Sequence, residues 1–306
     1  MTGARLRTIV LATDGSEDAR LARRAVADLA AADGAEVHVV GAWDLATPAY
    51  IPGYEVDSGT VSALEEAVRE VVEEERHALA AGGVAAAGHV ELGRPADVIL
   101  DLVTRVGADL TVLGSRGHGL VARLVLGSVS EKVVAAAHAP VLVMRGGDAA
   151  WPPPRIVVGF DGSREAMLAA RVAAAVGRGA RAPVTLLRVV HDDAEGSGDP
   201  RRLTFGDVVE GRRGRMERYA RRLGERGGPI VHASLTTGDP AAALLTAAGD
   251  EPPGLVAVGR RGIGRIRHAL LGSVSIKVLH AAPGPVLVAP WTPTTAAAGP
   301  GRRASL

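Results

Sequence analysis

Glycine, serine and arginine carry the most distinctive chemistry this chain offers. Gly114-Ser115-Arg116-Gly117 is followed, after nine residues, by Gly127-Ser128-Val129-Ser130. Gly259-Arg260-Arg261-Gly262 is followed, after the same nine-residue gap, by Gly272-Ser273-Val274-Ser275. The two sets lie 145 positions apart, and each sits between an apolar run and a helix-like stretch. Such residues suit an anion. Gly114 and Gly117 permit positive φ and let a phosphate approach bare backbone. A helix opening at Gly127-Ser128 presents unsatisfied N–H groups and the positive end of its dipole. Ser128 and Ser130 can add hydroxyl donors, and Arg116, His118 and Arg123 can add charge. The second set is more cationic, with Arg260, Arg261, Arg265 and Arg267. Turn glycines and an N-cap at Ser128 would explain one copy equally well. Two copies with one gap favour phosphate, because turn filler need not preserve both ends. Neither set is a Walker loop or a Gly-x-Gly-x-x-Gly fingerprint.

Two carboxylates accompany the loops. The stretch Thr8-Ile-Val-Leu-Ala-Thr-Asp14-Gly15-Ser16 returns as Arg155-Ile-Val-Val-Gly-Phe-Asp161-Gly162-Ser163. Asp14 and Asp161 end an apolar strand and should share a sheet edge with the loops, where open α/β sheets bind ligands. Each can accept hydrogen bonds from ribose hydroxyls or base amino groups, or hold a metal. An Asx-turn and N-cap role in Asp-Gly-Ser is the equal alternative.

The elements that must position these groups follow from periodicity. Short apolar runs at 8–12, 37–42, 89–92, 110–113 and 141–144 read as strands buried on both faces. Leu21, Ala25, Val26 and Leu29 recur at helix spacing. Ser62-x-x-Glu65 reads as a capping box opening a second helix. Pro95 suits the first turn of a third, and a fourth should run over 127–137. Strand–helix alternation implies an open, doubly wound sheet. The second copy keeps this order, but Gly211 and Gly214 fall in its second helix and predict that it is broken there.

The repeat also includes Gly93-Arg-Pro95-Ala96 and Gly238-Asp-Pro240-Ala241, and Pro140-Val-Leu-Val143 and Pro285-Val-Leu-Val288. A period this long means duplication of a whole domain rather than a solenoid. Gly146-Gly147 and Trp151-Pro-Pro-Pro154 mark the boundary. The expected division is one domain over 1–147, a linker over 148–154, a second domain over 155–292 and a disordered tail over 293–306.

Composition agrees with two α/β domains. The 306 residues are 47% hydrophobic but only 3% aromatic, so Val, Leu, Ile and Ala must fill the cores. A formal net charge of +1 gives no reason to expect a nucleic-acid surface. The absence of cysteine excludes disulfides and thiolate metal sites. No run has a membrane span's length, and the N-terminal apolar run is too short for a signal peptide. The expectation is a cytoplasmic protein that spans no membrane. The only lysines, Lys132 and Lys277, sit one turn into the two loop-following helices, and a solvated helix face accounts for them. Neither His-x-x-x-His spacing nor a paired acid and base is present.

These residues resemble the universal stress protein family. Its ATP-binding members carry Gly-x-x-Gly-x9-Gly-Ser/Thr after the fourth strand and an Asp at the end of the first. The resemblance covers roughly residues 5–145 and 154–291. It implies two tandem Rossmann-like α/β open sheets, each of five parallel strands in the order 3-2-1-4-5 with helices on both faces. By that resemblance Asp14 and Asp161 contact the nucleoside, and backbone near Ala42 and Val189 holds adenine. Gly114, Gly117, Gly127, Ser128 and Ser130 cradle ribose and phosphates. Gly259, Gly262, Gly272, Ser273 and Ser275 repeat that cradle.

The implied ligand is ATP, with or without Mg. The implied assembly is an intrachain pseudo-dimer through strands 141–144 and 286–289, with room for a further homodimer. The role so implied is a nucleotide-dependent regulator of a stress response. The alternative is a slow Mg-dependent ATPase or phosphotransferase using the same sites. An adenylate-transferring enzyme is a third reading, weakened by the lack of an acceptor signature. Differences around the two loops predict unequal sites.

Overall fold

The computed structural model describes residues 5–44, 58–117, 126–190, 205–225, 228–262 and 271–290. The first half runs β1 (Thr8–Ala12), α1 (Glu17–Asp33), β2 (Glu36–Trp43), α2 (Ser58–Ala81), β3 (Ala86–Leu92), α3 (Pro95–Val106), β4 (Leu110–Gly114), α4 (Ser128–Ala136) and β5 (Val141–Met144). The second repeats it as β6 (Ile156–Gly159), α5 (Arg164–Ala180), β7 (Val184–Val189), α6 (Phe205–Gly224), β8 (Val231–Thr236), α7 (Pro240–Ala248), β9 (Leu255–Gly259), α8 (Ser273–Ala281) and β10 (Val286–Ala289).

Each half has the expected order 3-2-1-4-5, and its strands pair in parallel. The two sheets are not separate, however. β5 and β10 pair antiparallel, with Leu142 opposite Leu287, and fuse the halves into one ten-stranded sheet. The two apolar edge strands thus cover each other, which removes the hazard of an exposed edge.

Strand alternation divides the core into two layers. Ile9 and Leu11 point to one face, under α1, α2, α5 and α6. Val10 and Ala12 point to the other, under α3, α4, α7 and α8. On the first face α1 meets α5 closely. A Cβ added at Gly179 would lie 2.8 Å from Leu29 Cδ2. Around this crossing Arg178 pairs with the buried Asp33 at 2.7 Å, and Trp151 Nε1 donates to Asp28 at 2.8 Å.

Two local expectations are corrected. Ser62 is not a cap: α2 begins at Ser58, so the Ser62–Glu65 pair lies inside the helix. Nor is the second helix of the second half broken. α6 passes through Gly211 and Gly214, because Met216, Ala220 and Leu223 bury its inner face. Each glycine costs a helix only about 1 kcal/mol, which such burial offsets. The described residues include no helix long and apolar enough to cross a membrane.

Candidate functional site

The candidate site of the first half is built by β1, β4 and α4. Asp14 follows β1, and its Oδ1 accepts from the Ser16 amide at 3.0 Å, forming an Asx-turn. Ser16 in turn caps α1 by accepting from Ala19 N at 3.3 Å, and its hydroxyl donates to the Arg116 carbonyl at 3.2 Å. The local role of Asp14 is therefore real, yet it engages Oδ1. Asp14 Oδ2 faces the loop, where a Cβ at Gly117 would lie 2.3 Å away. In the second half Asp161 Oδ1 accepts from Ser163 N at 2.8 Å, and a Cβ at Gly262 would lie 2.6 Å from Asp161 Oδ2.

The loop glycines are required by close approach, not by positive φ as expected. None of Gly114, Gly117, Gly127, Gly259, Gly262 and Gly272 adopts a positive φ. A Cβ at Gly114 would meet Asp18 Cβ at 2.9 Å, and one at Gly127 would meet the Ser115 carbonyl at 3.1 Å. Gly259 would collide with Glu165 Cβ at 2.7 Å, and Gly272 would crowd the Arg260 carbonyl at 3.4 Å. These glycines let the loop fold against α1 or α5 and back over the start of the following helix.

The serines divide into two roles. Ser130 is buried and donates to the carbonyls of Gly114 at 2.8 Å and Ser115 at 3.2 Å. Ser275 does the same with Gly259 at 2.7 Å and Arg260 at 3.3 Å. Their hydroxyls hold loop to helix, a role that the sequence did not suggest. Ser128 and Ser273 instead stand exposed in the first turn of α4 and α8, where backbone amides have no intrahelical acceptor. Gly127 and Gly272, not the serines, occupy the N-cap positions.

Between these elements lies a cavity of about 520 Å³, a size usual for small-molecule sites. It is lined by Asp14, Ala42, Gly114, Gly117, Gly127, Ser128 and Ser130, which the sequence placed at the site. Sequence reasoning missed its apolar walls, namely Ala12, Val40, Ile99, Leu113 and Leu126, together with Thr13 and Pro95. The available signal was strand register: Val40 and Ala42 alternate toward the face that α3 covers. Arg116 adds a half-buried cation, 3.6 Å from Asp18, whose Oδ2 also accepts from Ser115 Oγ at 2.7 Å.

Behind Thr13 sits a buried carboxylate, Glu75 of α2. It contacts Thr13 Oγ1 at 3.5 Å and Arg23 Nε at 3.2 Å. Burial raises its pKa above the usual carboxylate value, opposed by Arg23.

The described part of the second site keeps the loop ends and differs in the residues beside them. Leu244 of α7, at the place of Ile99, packs over Gly159 so closely that an added Cβ there would meet Leu244 Cδ1 at 3.1 Å. Leu187 and Val189 stand where Val40 and Ala42 stand, as the matching amide bonds Thr13 N to Val40 O and Phe160 N to Leu187 O show. Arg188 Nη1 donates to the Asp161 carbonyl at 2.9 Å. Phe160 replaces Thr13 and stacks on Tyr219, with ring centroids 5.3 Å apart. His118, Arg123, Arg265, Arg267 and His268 lie outside the described residues, as does the 293–306 tail. Lys277 pairs with Asp239 at 3.0 Å on an exposed face, in keeping with a solvated role.

Comparison with known proteins agrees with this architecture. The universal stress protein family model matches residues 5–145 and again 153–290. A universal stress protein of Thermus aquaticus is 39% identical over 140 residues, which is 45% of this chain and 98% of that protein. A universal stress protein of Mycobacterium tuberculosis (strain H37Rv) is 38% identical over 196 residues, 60% of this chain and 62% of the relative. The alignment with that relative thus spans less than two thirds of its length. A crystal structure of a universal stress protein from Archaeoglobus fulgidus superposes with a TM-score of 0.69 over 92% of this chain and 98% of that one. At 23% identity that likeness speaks for the fold alone. A sheet of this order in each half, a glycine-serine loop at each β4-type strand end and two family matches lead to one conclusion: the chain belongs to the universal stress protein family, with two tandem domains of it.

Proposed function

We propose that this protein binds adenine nucleotide, principally in the first half, and acts as a nucleotide-dependent regulator in a stress response. The observation that carries this reading is the cavity of about 520 Å³ bounded by Asp14, the Gly114–Gly117 loop and the first turn of α4. Its apolar end, formed by Ala12, Val40, Ala42 and Ile99, suits a flat base. Its polar end suits phosphates: free first-turn amides, the exposed Ser128 hydroxyl and the Arg116 guanidinium converge there. Asp14 would accept from ribose hydroxyls or hold Mg accompanying ATP. Regulation then requires only that ATP bind two states of the protein with different affinity.

The second site would take the same ligand more weakly, because the bulkier Leu187 and Val189 replace Val40 and Ala42 there. Residues 1–147 and 155–292 are proposed as the two domains, joined by 148–154. The β5–β10 pairing supports an intrachain pseudo-dimer. A cytoplasmic location belongs to the same proposal.

The test is nucleotide analysis of freshly purified protein, followed by single-turnover incubation with ATP and Mg. Intact ATP retained at about one per chain is expected. Rapid conversion to ADP, abolished by Asp14→Ala with Asp161→Ala, would replace the regulator by a slow ATPase or phosphotransferase. Failure of the intact chain to bind any adenine nucleotide would overturn the reading.

A further inference from the structure

Two arginines are buried at the junction of the halves without a carboxylate partner among the described ion pairs. Arg260 lies within the second loop and is 8% exposed; Arg145 directly follows β5 and is 7% exposed. Arg260 Nη1 donates to the carbonyls of Ala135 at 2.9 Å and Ala137 at 3.1 Å. Those carbonyls form the C-terminal end of α4, whose N-terminal end makes the first cradle. Arg145 Nη1 donates to the carbonyls of Leu279 at 2.7 Å and Ala282 at 3.4 Å. They end α8, whose N-terminus makes the second cradle. Each phosphate-facing helix is thus held at its far end by a cation from beyond its own half.

The two arginines are also tied to cradles by their own backbones. The Arg260 carbonyl accepts from Gly272 N at 2.8 Å and from Ser275 Oγ at 3.3 Å, inside the second cradle. Arg145 follows Met144, whose carbonyl accepts from Ser115 N at 2.8 Å in the first loop. Burial lowers the pKa of both guanidiniums, although arginine keeps its charge in proteins. A buried charge must be compensated, and here the carbonyls and negative dipole end of a short helix do so, with added attraction from Asp18 toward Arg145 and from Glu165 toward Arg260. Further orphaned nitrogens remain: Arg145 Nε and Nη2, and Arg260 Nε.

We propose that Arg260 is a positioning residue of the first nucleotide site and Arg145 of the second, so that each cradle is set by the opposite half. This inference rests on the nucleotide reading above and adds the regulation of that site. α4 has nine residues and spans roughly 14 Å. A helix that short moves as a unit, so its C-terminal anchor sets where its first-turn amides stand. Losing the anchor changes affinity at a site whose ligand Arg260 never touches. Conversely, a ligand that seats α4 steadies Arg260 and, with it, the second loop. By linkage the two effects are reciprocal.

The test uses the full chain carrying Ser273→Glu. That change puts a carboxylate at the mouth of the second cradle and leaves Arg260 in place, so calorimetric titration with ATP reports the first site. Arg260→Met in this background should weaken ATP binding by about 5- to 10-fold, on the order of the usual coupling between sites. Arg260→Lys, which keeps one donor, should recover part of the loss. A purely structural role would lower Tm while leaving the affinity of the folded protein unchanged, and that result overturns the proposal. Should Arg260→Met not fold, amide exchange in the Ser273→Glu chain decides. ATP should slow exchange at residues 260–262, and no change there would sink the idea. If neither the intact chain nor this background binds ATP, the nucleotide reading itself fails, and the inference with it.

Discussion

The two halves of this molecule share the glycine-serine loop and differ in the side chains beside it. Asp14 and Asp161 make the same Asx-turn, Ser130 and Ser275 make the same clamp, and Gly127 and Gly272 open the same helix. Beside these, the first half offers Ala42, Val40 and Ile99, whereas the second offers Val189, Leu187 and Leu244. Val189 and Leu187 are bulkier than Ala42 and Val40, so the second side carries more side-chain volume at these positions. Deeper still, the first half buries a polar group, Thr13 with Glu75 and Arg23, where the second stacks Phe160 on Tyr219. The lesson is that a loop held mostly through backbone keeps its geometry while its surroundings diverge, whereas the space beside it is set by side-chain volume.

Four measurements can break or sharpen that contrast. The largest effect should come from Gly127→Val, which should lower ATP affinity about 100-fold, or nearly 3 kcal/mol. Gly272→Val should leave most of the bound ATP in place by the same titration. Equal losses would mean that the two sites are equivalent. Next, the halves should behave as one body despite their different sites. Arg178→Met strands the buried Asp33 and should cost about 2 kcal/mol, below the full figure for a buried pair because Arg178 is partly exposed. Calorimetry should show both halves melting together at lower temperature. A shift confined to one half would show that the interface does not couple them.

A smaller change should follow from making the first pocket resemble the second. Ala42→Val should weaken ATP by about tenfold, or 1.4 kcal/mol, with phosphate-only ligands such as tripolyphosphate affected less. Equal weakening of both would place Ala42 away from the base. The smallest effect concerns pH. The folded-state pKa of Glu75 is raised by burial, so between its unfolded and folded values the native state binds more protons than the unfolded one. Stability therefore falls as pH rises through that window. Urea midpoints of the wild type should decline there relative to Glu75→Gln. Parallel curves would show that Glu75 carries no such linkage.

Much of the fold and part of the site could be read along the chain. β1 and β5 fall where the apolar runs place them, because strands buried on both faces need uninterrupted aliphatic residues. The loop motif likewise marks the strand ends where Asp14 and Gly117 meet. Helix boundaries were less legible. Ser62 has the signature of a start, but a capping motif does not forbid a further turn ahead of it. Gly211 and Gly214 have the signature of a break, yet the inner face of α6 outweighs their propensity.

The sequence by itself determined that the domain is duplicated, that each copy alternates strands with helices, and that each carries an anion-suited loop. These are local patterns, and the residue order records them directly. Only the tertiary structure decided which residues line the first-half cavity, what Ser130 bonds to, and that Arg145 and Arg260 reach across to the helices of the opposite half. The loop glycines show the difference best. Their spacing marked the loop, but the reason for them is not positive φ. It is the proximity of Asp14, Asp18 and the Ser115 carbonyl, groups brought together by β1, α1 and β4 packing in space.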